Sequence, residues 1–117
     1  MAAPAPERGR DAEARAARYL ESRGLAIVAR NYRCRYGEID LIARDGVTLV
    51  FVEVRARRSN AFGGAAASIT AAKRDKLRRA ALHYLSALGR SPRCRFDAVL
   101  LSGDANAVEW IRDAFGA

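Results

Sequence analysis

The chain has 117 residues, half of them hydrophobic and 29% charged. That is a globular composition with material for one core, which excludes a disordered chain; no apolar run approaches a membrane span, and the opening "MAAPAPERGR" lacks the apolar centre of a signal peptide. Twenty-one Lys and Arg against 13 Asp and Glu leave a formal charge of +8, which points to a polyanionic partner, nucleic acid first.

Residues 1–9 read as a flexible N-terminal tail, and 10–117 as a single domain without internal repeat or linker. Acidic Glu7 and Asp11 argue against an organelle transit peptide, so a cytoplasmic location is the expectation. Residues 10–23 predict a helix stopped by Gly24, with Glu13, Ala16, Ala17 and Leu20 on one face. "LAIVARNYRCR" and "GEIDLIA" predict two strands, and "RDG" a turn. "VTLVFVEVR" is the longest strand, rich in β-branched residues. After a loop, "RRSNAFGGAAAS", a second helix starts near Ser68 or Thr70 and runs to Leu88, with Gly89 beyond it. "CRFDAVLL" and "AVEWI" are further strands, followed by a closing turn through Phe115. The order α-β-β-β-α-β-β makes the first three strands antiparallel and lets the fourth join by a crossover, giving an α/β fold with a mixed sheet flanked by helices.

The odd feature is a carboxylate, Glu53, inside the apolar strand "FVEVRAR". A two-residue loop at Asp45 and Gly46 would set residue 44 against 47, Asp40 against Phe51 and Glu38 against Glu53. Glu38, Asp40, Glu53 and Arg55 then share one face, with Asp40 and Glu53 as diagonal neighbours. Two carboxylates about 6 Å apart repel by roughly 3 kcal/mol at an effective dielectric near 20, and desolvation adds several more. A domain stable by about 5–15 kcal/mol holds such a pair only with a compensating cation. Arg55 is one candidate. A hard, oxygen-seeking divalent ion, Mg2+ or Mn2+, is another. The structural alternative pairs Glu53 with Arg55 or Arg57 at a half-exposed edge and makes Asp40 a turn cap.

The motifs "NYR" at 31–33, "GEIDLIA" at 37–43, "FVEVRAR" at 51–57, "GGAAASITAAKRDKL" at 63–77, "RFD" at 95–97 and "EWIRDAF" at 109–115, with Glu13 before them, resemble the YraN-like family of small bacterial proteins. That family is placed in the PD-(D/E)XK nuclease superfamily. The resemblance implies a restriction-endonuclease-like core in which Asp40, Glu53 and the Val54 main-chain carbonyl hold Mg2+ or Mn2+, with Glu13 approaching the same site. It implies a hydrolase that cleaves phosphodiester bonds in DNA, including branched or repair intermediates. Arg55 stands where the superfamily usually has lysine. A guanidinium can hold a phosphate but is a poor general base, so a non-catalytic nucleic-acid-binding module on a decayed nuclease core is the alternative.

Basic charge is concentrated from Glu53 to Arg79, with eight basic and two acidic residues. Arg57, Arg58, Lys73, Arg74 and Lys76 are the candidate phosphate contacts, with Lys73 in line with the inward residue Leu77. Tyr32, Tyr36 and Phe62 are either base-stacking residues or core-packing and loop-anchoring ones. Asp97 reads as a partner for a backbone N–H or an arginine, and Trp110 and Phe115 as core. Cys34 and Cys94 have no metal-ligand spacing and read as free thiols. The pattern leaves monomer and homodimer both open.

Overall fold

The computed structural model describes residues 4–56, 69–102 and 107–115, with residues 4–10 described by their backbone alone. Helix α1 spans Pro4–Ser22, beginning ahead of residue 10. Strands β1 (Ala26–Cys34), β2 (Gly37–Asp45) and β3 (Thr48–Ala56) follow, then helix α2 (Ala71–Leu88) and strands β4 (Cys94–Leu101) and β5 (Val108–Ile111). The expected α-β-β-β-α-β-β order and mixed sheet are borne out. The strands lie in the order β1-β2-β3-β4-β5, with β3–β4 parallel and the other pairs antiparallel.

The helices cover opposite faces of the sheet. Leu77, Ala80 and Ala81 of α2 close over Ile39, Ile42, Phe51 and Phe96, and Phe115 stacks on Phe96 with ring centroids 5.3 Å apart. Ala12, Ala16, Ala17 and Leu20 of α1 close over Leu41, Ala43, Val50, Val52, Val99 and Leu101. Small alanines on α1 let its backbone lie close to the β-branched face beneath it. Strands β3 and β4 are central and covered on both sides, so their sequences run nearly unbroken in apolar residues.

Two local features position the later chemistry. The β2–β3 hairpin pairs Asp45 with Thr48 and turns on Gly46 and Val47. Gly46 takes φ 62, the left-handed conformation that a tight hairpin turn demands and that glycine reaches most cheaply. The sequence reading placed the turn one residue earlier, so its register is corrected by two positions: Ile42, not Asp40, faces Phe51. A two-residue shift keeps the paired side chains on their faces, and the ladder ends at Leu41–Val52, just short of Asp40 and Glu53. Helix α2 is capped at both ends. The Thr70 hydroxyl accepts from Lys73 N at 3.2 Å, and Gly89, with φ 79, donates its N–H to Leu85 O at 3.1 Å.

Asp97 is the buried charged residue of the core, with no exposed surface. Its oxygens accept from Arg95 Nε at 2.8 Å and Nη2 at 3.0 Å, from Trp110 Nε1 at 2.9 Å and from Asp113 N at 2.9 Å. It is a structural anchor tying β4 to β5 and the closing turn, as its sequence context suggested. Cys34 and Cys94 are free and half-buried. No helix among the described residues is long and apolar enough to cross a membrane.

Candidate metal centre and nucleic-acid interface

The β2–β3 ladder runs from Asp45–Thr48 to Leu41–Val52. Just past it, the Asp40 carboxylate, rather than a main-chain carbonyl, receives the next β3 amide: Val54 N donates to Asp40 Oδ2 at 2.8 Å. The alternation of β2 also slips there. Ile39 and Ile42 pack under α2, whereas Leu41 and Ala43 pack under α1. Across the ladder on β1, Arg30 pairs with Leu41 and Tyr32 with Ile39, which brackets Asn31, and Asn31 takes φ 53. A left-handed asparagine re-aims the strand pair at this point, and this is what gathers acids from different elements.

Glu13 from α1 joins Glu38 and Asp40 from β2, and one carboxylate oxygen of each lies within 4.8 Å of the others. Glu53 from β3 hydrogen-bonds to Asp40, and Asn31 hydrogen-bonds to Glu13. Charges of one sign this close repel by roughly 3 kcal/mol per pair at an effective dielectric near 20. The cluster responds by holding protons. Burial, then the neighbouring Asp40, push Glu53 up to about 8, against a lesser opposing pull from Arg55. The same two causes in the same order push Glu13 up to about 7. Asp40 is also raised, by burial, although the Val54 amide and the hydrogen bonds from Glu53 and Glu13 favour its anion. The arrangement is therefore short of positive charge and long on oxygen ligands.

Arg55 offsets part of this. Its Nη2 lies 3.0 Å from Glu53 Oε2, a charge pair without hydrogen-bond geometry. Both Nε and Nη2 are buried and have no hydrogen-bond partner among the described residues. Unpartnered buried N–H groups are costly, and an anionic oxygen delivered to them would relieve that cost.

A cavity of about 210 Å³ opens at this point, walled by Glu38, Asp40 and Glu53 on one side and by Lys73, Lys76 and Leu77 of α2 on the other. Lys73 thus lines the site, as its place beside Leu77 suggested, and Lys76, another candidate phosphate contact on the helix, joins it. Arg74 is turned elsewhere: its Nε donates to Ile69 O at 3.0 Å, and its guanidinium carbon lies 5.9 Å from the Phe115 ring centroid. Arg57, Arg58 and Phe62 lie outside the described residues. Val54 enters the site through its amide. Glu38 and Asn31 are the members that sequence reasoning did not assign to the site. Glu38 carries a signal, two places before Asp40 on one strand. Asn31 carries none beyond its proximity to Tyr32, because a left-handed residue within a strand has no period to betray it.

A model described as "Uncharacterised protein family UPF0102" matches residues 12–101. The chain belongs to the UPF0102 family. This is the YraN-like family that its motifs resemble. A UPF0102 protein of Methylobacillus flagellatus is 62% identical over 110 residues, covering 93% of this chain and 96% of its own length. One from Nitrosomonas europaea is 57% identical over 112 residues, covering 95% of each chain, and one from Dechloromonas aromatica is 60% identical over 111 residues, covering 94% of this chain and 89% of its own. The matched segment of this UPF0102 chain contains every acid of the cluster, Arg55 and the two cavity lysines.

Proposed function

We propose that this UPF0102 protein is a metal-dependent nuclease of restriction-endonuclease-like fold that hydrolyses phosphodiester bonds in DNA. One observation carries the reading: carboxylates from α1, β2 and β3 converge beside the half-buried Arg55, which is ion-paired to Glu53 and whose Nε has no hydrogen-bond partner among the described residues. An all-oxygen donor set with raised proton affinities suits a hard divalent ion, since such an ion supplies the positive charge the cluster lacks. Asp40, Glu53 and Glu13 would hold Mg2+ or Mn2+, with Glu38 and the Val54 carbonyl at its margin. When bound, the ion supplies Lewis acidity toward a phosphoryl oxygen and makes a neighbouring water more acidic.

The chain's own residues do the rest. Arg55, ion-paired to Glu53 at the cavity wall, would present N–H donors to the negative charge that grows on the phosphate. Lys73 and Lys76 face the acids across the cavity and hold the flanking phosphates. In the metal-free chain Glu13 and Glu53 hold protons near neutrality, and an ion that binds them would displace those protons.

The test is cleavage of duplex, single-stranded and branched DNA with Mg2+ or Mn2+, using the wild type and Asp40→Ala and Glu53→Ala. The expected outcome is metal-dependent cutting by the wild type alone, with the variants still folded by circular dichroism. A wild type that cuts none of these substrates with either ion overturns the reading. Arg55 itself favours a second reading, a non-catalytic nucleic-acid-binding module, because a guanidinium does not deprotonate and cannot act as base where a lysine can. That reading expects salt-sensitive DNA binding that persists in the Asp40→Asn, Glu53→Gln double variant, without cleavage under any condition.

A further inference from the structure

Next to the acidic cavity lies a second depression of about 530 Å³, lined by Arg35, Tyr36, Arg79, Leu82, His83 and Ser86. The two cavities abut. The β1–β2 turn gives Gly37 to the first and Tyr36 to the second, and α2 gives Lys73 and Lys76 to the first and Arg79, His83 and Ser86 to the second. These α2 residues recur at three- and four-residue intervals and so form one stripe along the helix. Lys73 and His83 are ten residues apart, about 15 Å along the axis.

The second depression differs in chemistry. Its lining, among the described residues, has two guanidiniums and no carboxylate. Between the cations lie two rings and an aliphatic side chain. The rings of Tyr36 and His83 sit 6.0 Å apart at 62°, and a hydrogen bond between His83 Nδ1 and the Tyr32 hydroxyl holds the imidazole in place. The Arg35 guanidinium lies 5.0 Å from the Tyr36 ring centroid and donates to its hydroxyl at 3.0 Å. Leu82 is 66% exposed, a large apolar side chain left open at the lip. Arg79 is tied to Asp75 at 3.2 Å, but both partners are more than half exposed, so the tie is weak and readily exchanged for a phosphate.

Phosphate contacts alone need only cations. A nucleotide whose base is unpaired needs cations plus an apolar or aromatic bed, because its π-face must leave water. We propose that this depression holds an unpaired base of a DNA strand beside the acidic cavity, with the strand's phosphates running along Lys73, Lys76 and Arg79. This rests on the nucleic-acid reading of that cavity and narrows its substrate to DNA with a single-stranded segment. At about 3.4 Å per charge in a stacked strand, the 15 Å stripe spans roughly four nucleotides, fewer if the strand is stretched.

The experiment is fluorescence anisotropy in EDTA, with a dye-labelled oligothymidine and a blunt DNA duplex of equal length. Tyr36→Ala is expected to weaken oligothymidine binding by roughly 5- to 150-fold, the range that stacking of one base supports, while duplex affinity stays within about twofold. Tyr36→Phe keeps the ring and the affinity. Leu82→Glu, at an exposed position that the fold does not need, places a carboxylate at the lip and weakens oligothymidine selectively. Equal loss for both DNA forms overturns the assignment, as does no loss in either variant. A wild type that does not bind oligothymidine overturns it too, and leaves Leu82 to a protein partner. Because EDTA removes cleavage from the measurement, the two readings separate. A wild type that binds through Tyr36 but never cuts with metal keeps this assignment and overturns the nuclease. One that cuts DNA while both variants bind oligothymidine normally does the reverse.

Discussion

At the scale of single residues, the acidic cluster makes stability depend on pH with the reverse of the usual carboxylate sign. Glu53 at about 8 and Glu13 at about 7 bind protons more tightly in the folded chain than at the ordinary carboxylate value of 4.5. Between 4.5 and 8 the folded state therefore holds more protons than the unfolded one, and stability is present in full at the acid end and lost as pH rises through that window. The metal-free protein should be less stable at pH 8 than at pH 5.5, by on the order of a few kcal/mol set mainly by the more enclosed Glu53, and so melt at a lower temperature at pH 8. Glu53→Gln should flatten that slope and raise the melting temperature at pH 8; a slope of equal size in the variant would show the pH dependence to come from elsewhere. Asp97 serves the fold instead. It is ringed by Arg95, Trp110 and the Asp113 amide, so Asp97→Ala strips three donors of their acceptor, leaves the half-buried Arg95 guanidinium to Asp45 alone, and should cost about 3 kcal/mol in urea unfolding. The two acids were distinguishable in the sequence only by neighbourhood: Glu53 interrupts a strand whose next polar group is two places away, while Asp97 follows Arg95 at the spacing that lets one side chain hold the other.

At the scale of elements, hydrophobic periodicity and end signals made the strands and both helices legible, because burial on one or both faces writes itself into every second or every third and fourth residue. The hairpin was legible in parity but not in register: Asp45 and Gly46 are both turn formers, and only the paired ladder reveals that Asp45 belongs to the strand, where its carboxylate also meets Arg95 Nη1 at 3.2 Å. The convergence of Glu13 with β2 was not legible from spacing, since it depends on how α1 crosses the sheet and on the left-handed Asn31. Helix α2 offers a test of how far an element's end governs the site. Thr70 caps the first turn, which carries Lys73, and Lys76 follows in the second. Thr70→Ala should cost about 1 kcal/mol of stability and fray that first turn, whereas Thr70→Ser keeps the cap. If the lysines act from a formed helix, Thr70→Ala should weaken DNA binding beyond what its stability change explains, measured well below the melting temperature.

For the molecule as a whole, the formal charge of +8 favours an anionic partner. The acidic cluster stands against that net charge, and the cavity sets Lys73 and Lys76 across from it. A bare cluster would repel a phosphodiester. A divalent ion would reverse that sign, so metal and DNA should bind with positive coupling, each raising affinity for the other by the same factor. Two measurements follow. Saturation with Mn2+ to about 100 times its dissociation constant should stabilise the fold by about 2.7 kcal/mol, and more visibly at pH 8, where protons compete least for the carboxylates. DNA affinity should fall linearly with salt on logarithmic axes, and the Lys73→Ala, Lys76→Ala double variant should reduce the slope by roughly 1.4–1.8, the loss of two phosphate contacts. Repeating the titration in Ca2+ and in EDTA then separates the two contributions. If the lysines alone attract DNA, the ion changes neither slope nor affinity. If the acids hold an ion that the phosphate also touches, affinity rises with Ca2+ in the wild type and not in the Asp40→Asn, Glu53→Gln variant, and the electrostatic purpose of keeping carboxylates together at this cost in stability is accounted for.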